Sequence, residues 1–189
     1  ILEEVVVVLG LGAVGILSGL LLQRAGAQVI GMDPISWRRA AATSLGLEAC
    51  SPDDASEALA GHSGSGRVPL VVEASGRPEA LREALGLLSH EGQVLVVSWY
   101  GTKDVSLPLG ADFHRRRLAI RSTQVSTIPA KLSARWTITR RRVVTVNLLR
   151  QLSVAALATH AFPLLQAAEA FAAVDRGETG LVHAALCYT

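Results

Sequence analysis

Three glycines stand in the order Gly10-Leu11-Gly12-Ala13-Val14-Gly15, and an acid, Asp33, follows Gly15 by eighteen residues. Glycines at this spacing suit one purpose, which is to let a diphosphate approach bare backbone. Gly10 permits a tight turn. Gly12 removes the side chain that would block the pyrophosphate, and Gly15 lets a helix sit close on the preceding strand. Amides at the start of that helix, beginning at Ala13 and Val14, then face the anion, and the helix dipole favours its charge. Paired glycines are common, so the pattern carries weight only when a strand precedes it and a helix follows it.

Both flanks are present. Val5 to Leu9 is short, β-branched and closed by glycine, which predicts a fully buried parallel strand. A helix is expected from Ala13 to Ala25, closed at Gly26. A second strand, Gln28 to Met32, delivers Asp33 at its end. The Asp33 carboxylate there would accept hydrogen bonds from the adenosine ribose hydroxyls and repel a 2′-phosphate, which favours NAD over NADP. Read without the glycines, Asp33 is a solvated loop acid or a helix cap. Arg38 and Arg39 keep NADP open, because an arginine near this place holds the extra phosphate.

The rest of the chain alternates strand and helix. Ser36 is expected to cap a helix over Trp37 to Leu45, with a short strand near Glu48 to Cys50 and a helix over Asp53 to Ala60. The stretch 61–66 reads as a Gly/Ser loop. Strands follow at Leu70 to Ala74 and Gln93 to Ser98, around a helix opened by Pro78 and running from Glu79 to Leu88. Val105 to Leu109 is a short extended piece and Leu118 to Ser122 a further strand. Helices over Ala134 to Arg150 and Leu164 to Val174 precede a final strand, Leu181 to Cys187. This alternation predicts an α/β fold with a doubly wound parallel sheet of the Rossmann kind. The helix-strand segment at the end would belong to a second domain, which divides the chain into 1–152 and 153–189.

Composition narrows the classes. The 189 residues carry a net charge of only +2, so nothing steers the chain toward nucleic acid or an anionic membrane. Residues 5–22 contain no charge and include a GxxxG at Gly15 and Gly19. A membrane helix there would contain four glycines and open on a β-branched run, which argues against it. Two isolated cysteines, Cys50 and Cys187, form neither a disulfide framework nor a zinc site, and fit a reducing, cytoplasmic setting. The first residue is Ile1 rather than Met, so a longer parent is expected.

From the glycines onward the chain resembles the medium-chain dehydrogenase/reductase family, the zinc-type alcohol and polyol dehydrogenases. The resemblance rests on VVVLGLGAVG, VIGMDP, VVEASGRPEALREAL, EGQVLVVSWYG and THAFPLLQAAEAFAAVDRG. It implies that Arg38 touches the ribose, and that Ala74, Ser75, Gly76, Val97, Ser98 and Trp99 line the cofactor cleft. It also implies that the last stretch returns to a catalytic domain. The family's catalytic zinc ligands lie mostly in an N-terminal domain, and the five scattered histidines offer no ligand set. No catalytic residue and no metal ligand is therefore assigned, and the 189 residues are expected to hold no zinc and to oxidise no alcohol unaided. The complete enzyme would move a hydride between an alcohol or carbonyl substrate and the nicotinamide.

Two other functions share the glycine fingerprint, namely a stand-alone NAD-sensing regulatory module and a fragment kept as a dimerisation scaffold. A homodimer is expected through 105–109, where Pro108 suits a sheet margin, and related dehydrogenases join their sheets at this place.

Overall fold

The computed structural model describes residues 2–62, 64–152 and 154–188. Its centre is a parallel sheet with the strands β1 (Val5–Leu9), β2 (Gln28–Met32), β3 (Glu48–Cys50), β4 (Val68–Glu73), β5 (Leu88–Val96) and β6 (Ala119–Ser122). They lie in the order β3-β2-β1-β4-β5-β6, with every pairing parallel. This is the doubly wound order in which the chain reverses direction beside β1. The crevice at that reversal lies between the carboxyl ends of β1 and β4, and it receives the glycine turn.

Burial on both faces explains the valine run. Val5, Val7 and Leu9 pack into one layer with Leu59, Leu81 and Leu85. Val6 and Val8 pack into the other with Ile16, Leu20 and Ala42. A strand with two apolar neighbouring layers has no solvent face, so it shows no polar alternation. The first layer uses α3 (Ala55–Ala60) and α4 (Pro78–Leu87), and the second uses α1 (Ala13–Arg24) and α2 (Ser36–Ser44).

Several boundaries differ from expectation for local reasons. Ser36 is the first residue of α2, not its cap. Ile35 takes the cap position, no side chain caps it, and the Ile35 N–H donates to Asp33 instead. A 3-10 turn, Pro52–Asp54, precedes α3, because the Ser51 hydroxyl accepts the Asp53 N–H. After a short α5 (Ala111–Arg115) and β6, an unforeseen α6 (Ala130–Ser133) comes first, and the helix expected from Ala134 starts later, as α7 (Ile138–Gln151). Thr137 sets the second start, its Oγ1 accepting the Arg140 N–H at 3.1 Å. Residues 105–109 form no ladder among the described residues. Val105 and Leu107 turn into the core, and the open edge of the sheet is β6. The Gly/Ser loop and the 152/153 boundary touch Ser63 and Ser153, which lie outside the described residues.

A small second sheet follows. β7 (His160–Pro163) was not foreseen from the sequence. It pairs in parallel with β8 (Ala184–Cys187), and α8 (Ala167–Asp175) connects them after a 3-10 turn. β8 starts at Ala184, later than the run from Leu181 suggested. Among the described residues no helix is long and apolar enough to cross a membrane. The uncharged stretch from Val5 is divided between β1 and α1.

Leu88 is wholly buried in the first layer. Leu88→Ala is expected to lower stability by about 3 kcal/mol through lost transfer energy and an unfilled cavity. Urea unfolding followed by far-UV circular dichroism checks this.

Candidate functional site

The glycine turn is built by exclusion of side chains. Gly10 adopts φ +90, and a Cβ on it would stand 2.8 Å from the Ser75 backbone. Its N–H donates to the Met32 carbonyl at 2.8 Å, which ties the turn to the end of β2. On Gly15 a Cβ would lie 1.8 Å from the Gly10 carbonyl oxygen, so α1 can leave the turn at this angle only with glycine there. Gly12 differs: its backbone is extended, and a Cβ on it would meet nothing within 4 Å. That open space lies at the start of α1, where the Ala13, Val14 and Gly15 amides have no partner inside the helix. The first helical bond is Ile16 N–H to the Gly12 carbonyl, 2.9 Å. A pyrophosphate fits this arrangement, because the backbone donors are bare and no side chain stands over them.

Asp33 is almost wholly buried. Its Oδ2 accepts the Leu11 N–H at 2.8 Å and its Oδ1 accepts the Ile35 N–H at 2.9 Å. The acid therefore locks the glycine turn to the β2–α2 connection while keeping acceptor capacity on both oxygens. Arg38 Nη1 lies 3.8 Å from Oδ2. The neighbouring Arg39 instead donates to the Asp33 and Pro34 carbonyls at 2.8 and 2.9 Å, so of the two arginines it is the structural one.

A cavity of about 390 Å³ opens beside these groups. Gly10, Asp33, Arg38 and Ser75, all named from the sequence, line it. So do Ile35, Ser51, Asp53 and Arg77, which sequence reasoning missed. Those four sit in the turns just past the carboxyl ends of β2, β3 and β4. Strand-end position was the available signal for them.

The expected residues past β4 and β5 are arranged around an unforeseen one. Glu73, the last residue of β4, has no exposed surface. Its Oε1 accepts the Ser75 N–H at 2.7 Å, the Ser75 hydroxyl at 2.5 Å and the Gly76 N–H at 3.2 Å. Its Oε2 accepts the Ser98 hydroxyl, and the Tyr100 hydroxyl at 2.6 Å. Burial, and next the hydrogen bond to Glu73, push the Tyr100 phenol well above its usual range, so it stays a donor at any physiological pH. Ala74 packs near Gly15, Gly76 lies against the Trp99 carbonyl, and Val97 packs into the second layer. Trp99 is 88% exposed. An acid ending an apolar strand, Leu70-Val71-Val72-Glu73, was the sequence signal for Glu73.

Among the described residues no group of three His, Cys, Asp or Glu side chains converges to hold a metal. His62, for example, is engaged by Glu48 at 3.1 Å and by the Ala58 carbonyl at 2.9 Å.

A sequence model of the zinc-binding dehydrogenase family matches residues 13–138. The chain belongs to that family. It aligns with its cofactor-binding part, within the medium-chain alcohol and polyol dehydrogenases. The D-guloside 3-dehydrogenase of Escherichia coli K12 is 31% identical over 144 residues, covering 74% of this chain and 41% of that protein. In fold, the chain is similar to an alcohol dehydrogenase from Thermus sp. ATN1, with TM-score 0.77 and 22% identity, over 100% of this chain and 52% of that one. It is similar also to an alcohol dehydrogenase from E. coli CFT073 solved with NADH, with TM-score 0.73 and 19% identity, over 97% of this chain and 51% of that one. The chain thus spans about half the length of the solved dehydrogenases it matches.

The two glycines make opposite predictions. Gly12→Val is expected to fold normally and lose dinucleotide binding, because its side chain enters the open approach. Gly15→Ala is expected to lose thermal stability, because its methyl meets the Gly10 carbonyl. Circular dichroism melting and NADH fluorescence enhancement on both variants separate the effects. A folded Gly12→Val protein with normal NADH enhancement contradicts the placement.

Proposed function

We propose that this chain is the NAD(H)-binding part of an alcohol dehydrogenase-like oxidoreductase, which transfers hydride between an alcohol or carbonyl substrate and nicotinamide. The observation that carries the proposal is Asp33, a buried carboxylate bonded to the glycine turn, at the rim of the cavity, with acceptor capacity to spare. A dinucleotide laid across the end of β1 would place its adenosine ribose at Asp33 and Arg38. Its pyrophosphate would lie over Gly12 and the amides of Ala13 and Val14. Its nicotinamide half would lie between Ala74–Gly76 and Val97–Trp99. The bound nicotinamide supplies hydride chemistry, while these residues orient it and exclude one face from water. Charge at Asp33 favours the unphosphorylated ribose, hence NAD over NADP.

In this reading residues 1–152 form the cofactor domain, and residues 153–189 return toward a catalytic domain that would carry the substrate and zinc chemistry. A stand-alone regulatory module has no need of α8 and the β7–β8 pair, which supports the enzyme reading over that one. Free Cys50 and Cys187 support a reducing cytosol. The protein is also proposed to be a homodimer through 105–109, where Leu109 is half exposed.

Titration calorimetry tests cofactor choice. NADH is expected to bind more tightly than NADPH. Asp33→Ala is expected to weaken NADH by about 1.5–3 kcal/mol, the scale of a hydrogen bond to a charged group. Tighter NADPH binding overturns the assignment. Sedimentation velocity tests the dimer. The wild-type chain is expected to run as a dimer at micromolar concentration and Leu109→Asp as a monomer, whereas a monomeric wild type removes the interface and leaves the cofactor reading standing.

A further inference from the structure

Glu73 is a carboxylate with no exposed surface at the carboxyl end of β4. Burying such a group costs several kcal/mol unless donors surround it. Here five donors do: the Ser75 and Gly76 amides, and the hydroxyls of Ser75, Ser98 and Tyr100. A carboxylate offers about four lone-pair sites, so this one has none left for a ligand. Its donors come from two separate loops. Three belong to the loop after β4 and two to the loop after β5. Lys103 adds a second tie between the same loops, its Nζ donating to the Gly76 carbonyl at 3.2 Å.

The loop after β4 also touches the glycine turn, since Ser75 closes over Gly10. Both loops lie on the β4–β5 side of β1, whereas Asp33 lies on the β2 side. A dinucleotide crossing the end of β1 has its adenosine half on the Asp33 side and its nicotinamide half against these two loops.

We infer that Glu73 is a positioning residue: a carboxylate latch that holds loops 74–76 and 97–100 together and so fixes the wall of the cleft for the nicotinamide half. The inference rests on the cofactor reading given above for the half it positions, but the latch itself does not. Glu73→Gln replaces an acceptor oxygen with an NH2 group, which sets donor against donor on one arm. Tyr100→Phe removes a single donor and keeps the carboxylate, so it serves where Glu73→Gln fails to fold.

Amide hydrogen exchange on the full chain without cofactor tests the latch. In both variants residues 74–76 and 97–100 are expected to exchange faster, by about tenfold in Glu73→Gln, the scale of one or two lost hydrogen bonds. Strands β1 and β2 are expected to keep their protection. Unchanged exchange in both loops, or equal loosening of the whole sheet, overturns the latch. Binding of NADH and of AMP then tests what it positions. Glu73→Gln is expected to weaken NADH by about tenfold and AMP, which needs only the Asp33 side, by less than about twofold. Equal losses for both ligands, or unchanged NADH affinity in a variant whose loops have loosened, overturn the positioning role. A wild-type chain that binds neither ligand removes the cofactor reading and with it the positioning role, while exchange still decides the latch.

Discussion

Helix α1 leaves β1 so tightly that one methyl group on Gly15 would stand 1.8 Å from the carbonyl oxygen of Gly10. That approach puts the first-turn amides of α1 at the carboxyl edge of the sheet, in the crevice beside β4. It also presses α1 onto β1, so that Ile16 and Leu20 complete the layer over Val6 and Val8. Packing and binding therefore share one constraint. A side chain at Gly15 would push out the helix that closes the core and turn its amides away from the crevice. Gly12, two residues past Gly10, has the opposite character: packing tolerates a side chain there, and only a ligand would object. The three glycines are thus not equivalent, and geometry separates the two that build the turn from the one that leaves it open.

Around that turn the structure buries two acids, Asp33 and Glu73, at the ends of the strands that flank β1. Buried carboxylates are costly. Arg38 pairs with Asp33 at 3.8 Å, and the shorter contacts to both acids come from backbone amides and hydroxyls. Each acid thereby becomes a clamp. Asp33 joins the glycine turn to the β2–α2 connection, and Glu73 joins the loops after β4 and β5. The crevice between them is walled on both sides by loops that these hydrogen bonds tie together.

Much of this was legible in the sequence where local and long-range demands agree. Strands β1 and β2 fall where their β-branched runs and glycine or proline stops placed them, because a strand buried on both faces leaves no freedom of pattern. Gly10, Gly15 and Asp33 were legible because spacing fixes their places on a strand–turn–helix. The misses follow from contacts that spacing does not encode. Residues 105–109 looked like a free edge because Pro108 suits one, yet Val105 and Leu107 are drawn into the core beside α4, and Arg82 donates to the Ser106 carbonyl at 3.1 Å. The Thr137 cap starts α7 at Ile138, later than the start expected at Ala134. β7 escaped notice because His160-Ala161-Phe162-Pro163 has no strand pattern of its own and exists by pairing with β8. The donors to Glu73 were invisible as a set because Ser98 and Tyr100 lie more than twenty residues away, in the loop after β5.

The same arithmetic of lone pairs distinguishes what each acid does. Asp33 receives one backbone N–H on each oxygen and lines the cavity, so each oxygen keeps a lone pair for a ligand hydroxyl. Glu73 receives five donors, is shut off from solvent and does not line the cavity. Two acids of similar burial are thus given different surroundings by their partners, one facing the cavity and one facing the protein. In a cleft whose hydride chemistry would belong to a bound nicotinamide, the protein's contribution is placement. An acid saturated by its own chain serves that purpose as directly as one left partly free, because Glu73 ties together the two loops that form the opposite wall of the crevice.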